Sequence, residues 1–197
     1  MEIPIKSISI NVLIASIFTF LPLLANAQEK VANQDIQQAR ALVNAFGTDL
    51  KQVLITAIKS EGPIKALMVC NIEAEPIATK HASLSGWSIA RTSMRVRNEK
   101  NTPDEWELAV LQQFEKRKIA GENLKTMEYA ETVKEGDQLV YRYMKPIPIV
   151  GACLTCHGIN LGDEITDKVK SLYPNDQAIG FKMGDIRGAF TLQKIMN

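Results

Sequence analysis

The chain has 197 residues, 46% hydrophobic and 23% charged, with 23 basic and 22 acidic side chains. A formal net charge of +1 leaves no basic excess to neutralise phosphates, which excludes an electrostatic nucleic-acid binder. Three cysteines exclude a disulfide-dense scaffold, and the composition is that of an ordinary globular domain.

In chain order, the first feature is a leader. Lys6 and the free amine precede an apolar run from Val12 to Leu24, and Ala25-Asn26-Ala27 forms the small-x-small pattern that a signal peptidase cuts after. Residues 1–27 are therefore expected to be a signal peptide, leaving 28–197 as one exported, periplasmic domain. No later run is long enough to cross a bilayer. Ile36, Ala39, Val43, Phe46, Leu50, Val53, Leu54 and Ala57 recur at steps of three and four, which predicts a long amphipathic helix ending at Glu61-Gly62-Pro63. A second helical stretch carries Ile64, Leu67, Met68 and Cys70. From Trp87 to Arg97 the residues alternate as in a strand, with Ile89, Arg91, Ser93, Arg95 and Arg97 on one face. Thr102-Pro103-Asp104-Glu105 signals the start of a helix running to Phe114. Met127–Val133 and Leu139–Met144 read as a hairpin, and Ile165–Leu172 as a short helix. Ala178–Met183 and Gly188–Leu192 read as a closing hairpin around Gly184-Asp185. Without repeats, linkers or low-complexity tracts, the expectation is one mixed α/β (α+β) domain with an antiparallel sheet.

The chemistry concentrates in Cys153-Leu154-Thr155-Cys156-His157. Cys-x-x-Cys-His is the covalent haem attachment motif, in which two thiols three apart reach two vinyl groups of one haem and the next residue ligates its iron. Two other readings compete. A thioredoxin-like pair belongs at a helix start after a strand of a βαβ unit, whereas the extended Lys145-Pro146-Ile147-Pro148 precedes this motif. A structural zinc site needs two more ligands, and only Cys70 and His81 remain. The second axial ligand is open on these grounds. Cys70, His81, a methionine or an unfilled position all qualify, and Cys70 by itself reads as a small buried hydrophobe. Arg91, Arg95 and Arg97, on one face of the expected strand, suit a clamp for haem propionates, or simply a solvated face. No nucleophile–base constellation or phosphate-cradling glycine loop is present, so catalysis is not indicated.

Several further stretches carry a resemblance. They are Arg91-Thr92-Ser93, Arg97-Asn98, Asn101-x-Pro103-Asp104-x-Trp106-Glu107, Lys145-Pro146-Ile147, the Cys153–Gly158 motif and Ala178–Phe190. In them the chain resembles exported single-haem c-type cytochromes with a PAS-like fold, whose relatives serve as sensory domains of bacterial receptors. Glu99 stands where that pattern has proline. The resemblance implies a PAS-like antiparallel sheet flanked by helices, one covalent haem c, and a cysteine–histidine axial pair in which Cys70 faces His157. It implies electron transfer or redox sensing with a separate redox or signalling partner. A gas-binding sensor, or less favourably a peroxidase-like enzyme, is the alternative.

Overall fold

The structure, a computed structural model, describes the backbone of residues 21–196 and side-chain surroundings from residue 33 onward. The first 20 positions of the expected leader lie outside the described residues. The chain divides into two units, 1–34 and 35–197. In the first, the described backbone is helical from residue 21.

Helix α1 (Leu21–Ser85) is two helical arms joined at Gly62, whose φ of 82° lies in the left-handed region open to glycine. Pro63 follows at the first position of the second arm, where its missing N–H costs nothing. The chain doubles back there, so that His81 of the second arm reaches Asp49 of the first at 3.0 Å. The break falls where Glu61-Gly62-Pro63 predicts it.

Four antiparallel strands form one sheet in the order β1-β4-β3-β2. They are β1 (Ser88–Thr92), β2 (Tyr129–Glu135), β3 (Gln138–Pro148) and β4 (Ile186–Met196). The arms of α1 cover one face, where Ala39, Val43, Phe46 and Ala78 pack against Ile89, Tyr141, Tyr143 and Leu192. Helix α2 (Glu105–Ile119) covers the other with Val110, Leu111 and Phe114 against Met144, Ile186 and Ala189. Asp104 caps α2 in a full capping box with Glu107. The architecture is α+β, as expected.

Two sequence-based elements are corrected. The first strand stops at Thr92, because the Ser93 hydroxyl, donating to the Arg187 carbonyl at 2.8 Å, begins a turn. Arg95 and Arg97 therefore sit on a loop, and the alternation past Arg91 places no strand face. Residues 178–183 form no strand either. Their backbone groups are used by the Cys-x-x-Cys-His loop instead, with Gly180 N–H donating to Gly158 O at 2.8 Å and Phe181 N–H to His157 O at 2.9 Å. Strand β3 runs further than its hydrophobic pattern, through Pro146 and Pro148. Both lie beyond Met144, the last residue paired with β2, where β3 has a single neighbour and tolerates a missing N–H.

Candidate functional site

The end of β1, the end of β3 and the start of β4 meet at one end of the sheet, with Thr92 opposite Ala189 and Pro148 opposite Ile186. From β3 the chain enters a 3₁₀ turn (Gly151–Cys153) and then the short helix α3 (Leu154–His157). Cys153, Cys156 and His157 thus share barely two turns of helix. Gly158 closes the turn: a Cβ there would sit 2.5 Å from the Leu154 carbonyl oxygen. Ile149, Ala178 and Phe181 form a small core beneath, with Cys153 and Leu154 packed against it.

His157 is held in one tautomer. Its Nδ1 lies 2.6 Å from the Ala178 carbonyl oxygen, which can only accept, so Nδ1 carries the hydrogen and Nε2 presents its lone pair. Burial, and then the positive charges of Arg187 and Arg97, push its pKa down to about 3, so the ring is neutral. The Arg187 Nε–H points at Nε2 from 3.4 Å, and Phe181 stands edge-on to the ring at 6.1 Å. A neutral imidazole with Nδ1–H tied to a carbonyl is the form that ligates a metal through Nε2.

Three thiols are free and partly buried. Cys70 comes from the second arm of α1, and burial pushes its thiol up against the opposing pull of Arg91 and Arg97. Cys153 and Cys156 are near enough that each is coupled electrically to Cys70. Burial likewise pushes Cys156 up. Tyr173, at the end of helix α4 (Asp163–Leu172), adjoins the same group and is raised first by burial and then by Cys70.

The arginines differ sharply in their commitments. Arg97, 8% exposed at its side chain, forms a two-pronged pair with Asp176, both contacts 3.0 Å. It donates as well to the carbonyls of Cys156 at 2.7 Å and Ala178 at 3.2 Å. Its Nε and Nη2 are used by the protein, whereas Nη1 makes no hydrogen bond among the described residues. Arg95 is exposed, lies 4.0 Å over the Phe181 ring and donates to the Gln177 carbonyl. Arg91 shares the α1 side of the sheet with Ile89, and burial, its main influence, lowers it. Arg187, which sequence reasoning did not single out, donates to the Ser93 hydroxyl at 2.9 Å and the Arg95 carbonyl at 3.1 Å. Burial, with repulsion from Arg97 and Arg91, pushes it down to about 10. Four guanidiniums therefore crowd one region, with Asp176 as the opposing carboxylate.

His81 stands elsewhere. Its Nε2 is 3.0 Å from Asp49 and its ring rests 6.5 Å from Phe46, inside the contact between the arms of α1. Met127 and Met144 are fully buried in the α2-side core, and Met183 is 62% exposed. Among the described residues, no three His, Cys, Asp or Glu side chains are grouped to hold a metal ion. None of the described helices is long and apolar enough to cross a membrane.

The family model described as Tll0287-like matches residues 24–194. The chain belongs to the Tll0287-like family. A solved structure, the cyanobacterial heme-protein Tll0287, superposes on this member with a TM-score of 0.61. That match is 22% identical and covers 83% of this chain and 96% of that one, a likeness that shows a shared fold. No curated protein matches this Tll0287-like chain.

Proposed function

We propose that this chain carries one haem c, attached through Cys153 and Cys156, with His157 and Cys70 as axial ligands, in a PAS-like domain that transfers electrons or senses redox state. The observation that carries the reading is the arrangement of Cys153, Cys156 and His157 on one short turn, with Nδ1–H tied to Ala178 O and Nε2 presented. The fit extends to charge: four guanidiniums facing one carboxylate suit a cofactor that brings two anionic propionates. Arg91, Arg95 and Arg187, with the Nη1 of Arg97, are the donors that would meet them. The solved relative is a heme-protein by its own description.

Each motif thiol would add its S–H across one vinyl group, so attachment would release nothing. When bound, haem supplies a one-electron ferric–ferrous couple. His157 would hold the iron through Nε2, the Ala178 carbonyl fixes the ring through its Nδ1–H, and Ile149, Ala178 and Phe181 exclude water beneath the motif. Cys70, as thiolate, would favour ferric iron and hold the potential below that of histidine–methionine cytochromes. Export to the periplasm after removal of residues 1–27 is part of the proposal, resting on the leader pattern, because covalent attachment follows export.

Haem should stay with the chain through acid–acetone extraction and denaturing electrophoresis, and Cys153→Ala/Cys156→Ala should abolish that staining entirely. Colour lost from the native chain on denaturation would sink the proposal. Cys70→Ala should remove the ferric low-spin thiolate signal and raise the potential by roughly 100 mV or more, a modest part of the roughly 0.8 V that axial ligands span. An unchanged paramagnetic resonance spectrum would return Cys70 to the core. A gas-binding sensor is the competing reading. It is favoured by one observation: the two axial candidates ride on different elements, α1 and the loop after β3, so parting them would move helix against loop. Stable six-coordination resists carbon monoxide, and a gas sensor takes it up.

A further inference from the structure

Arg97 touches the motif at two points that matter to His157. Through Nη2 it holds the carbonyl of Cys156, the residue immediately before His157. Through the same nitrogen it shares Ala178 O, the acceptor of the His157 Nδ1–H. Asp176 completes a ring. It takes both prongs of Arg97 and, on the same Oδ1, the Ala178 N–H at 2.9 Å. The pair is almost wholly enclosed, at 8% and 7% side-chain exposure, so these bonds work with little solvent screening. Burial alone would raise Asp176, but its bonds to Arg97 and the Ala178 N–H outweigh that and hold it below the usual carboxylate range.

A carbonyl that already accepts from a cation is a poorer acceptor for a second donor. The strength of the Nδ1–H bond in turn governs how basic the opposite nitrogen is as a ligand. We propose that Arg97 is a positioning residue that sets the orientation and donor strength of His157 by gripping Cys156 O and sharing Ala178 O. This deepens the haem reading and rests on it. With Arg97 in place the Nδ1–H bond is moderated. With the fork removed, Ala178 O belongs to His157 alone, the imidazole becomes the stronger donor, and ferric iron is favoured.

The fork separates this role from that of a bare charge. Arg97→Lys keeps the charge but cannot span Asp176, Cys156 O and Ala178 O together. In the haem-loaded full chain, Arg97→Lys and Arg97→Gln should both lower the reduction potential and shift the His157 Nδ1–H proton resonance in the same sense. A lysine variant with wild-type potential and resonance would reduce Arg97 to a charge and overturn the proposal. Should neither variant accumulate, Asp176→Asn, which keeps the shape and loosens the fork, carries the same reading. A shifted Nδ1–H resonance supports the role, and an unmoved one overturns it. Haem staining of the wild-type chain stands apart: its absence would defeat the haem reading itself, whereas a stained wild type with unresponsive variants would defeat only the role of Arg97.

Discussion

Around Arg142 one guanidinium meets three carboxylates, whereas beside His157 four guanidiniums share one. Arg142, on β3 and 4% exposed, contacts Asp104 at 2.5 Å, Glu135 at 3.2 Å and Glu107 at 3.7 Å, and lies 4.3 Å over the Trp106 ring. Glu107 is tied further by the Thr191 hydroxyl at 2.7 Å. There the fold answers its own buried charge with side chains of its own. At the motif it does not, and the surplus is positive. A buried charge matched from within is part of the scaffold, and one left unmatched is addressed to an anion from outside.

Substitutions at the two ends should behave oppositely. Arg142→Leu strands Glu107 in the interior and should cost about 3 kcal/mol, in the range for broken buried pairs and reduced by the exposure of Asp104 and Glu135. For a domain of this size that is a fall of roughly 10 °C in Tm, with the haem spectrum unchanged. Arg187→Leu should lower Tm by less than Arg142→Leu, through the lost bonds to Ser93 and Arg95, and lower the reduction potential by roughly 100 mV, the effect of one charge several ångströms away at an effective dielectric near 20. If instead Arg187→Leu unfolds the chain and Arg142→Leu moves the potential, the contrast is broken.

Glu128 supplies the intermediate case of a nearly balanced pair. It accepts from Arg40 and from the Tyr143 hydroxyl at 2.8 Å, and the Arg40 bond, chiefly, holds it below the usual carboxylate range despite burial. A carboxylate depressed by folding adds stability above its unfolded value of about 4.3, and that contribution is lost as pH falls through the lower folded value. Stability measured by denaturant should therefore drop on acidification from about pH 4 downward. Glu128→Gln should flatten that acid limb and cost about 1 kcal/mol at pH 7, because Arg40 is itself 42% exposed. An acid limb unaltered in the variant would assign it to other carboxylates.

What the sequence discloses follows how local its cause is. The break at Gly62, the start of α2 within Thr102–Glu105 and the hairpin of β2 and β3 were legible because each depends on a few adjacent residues. Cys153, Cys156 and His157 were legible for the same reason. The strand expected through Arg97 failed because its end is set by Arg187, 94 residues away, through the Ser93 hydroxyl. The pairing of Arg97 with Asp176 spans 79 residues, and no local pattern announces it. Residues 178–183 carry a strand-like alternation, yet the Gly180 and Phe181 N–H groups go to the motif loop and those of Ala178 and Lys182 to aspartates, a use that only the folded chain reveals. Arg187 lay inside a stretch that carried the resemblance, and its role still needed the geometry around His157.

The sheet order has a consequence in time. Strand β4, the last to be synthesised, is also central: β1 has no other partner, and β3 is flanked by it along its whole paired length. Until β4 pairs, β1 has no partner, Arg187 is not beside Ser93, and the loop holding both motif thiols lacks part of what it closes against. Long-range pairing of this kind also slows folding after synthesis. The order of the strands thus keeps Cys153 and Cys156 open to the solution until the final segment docks.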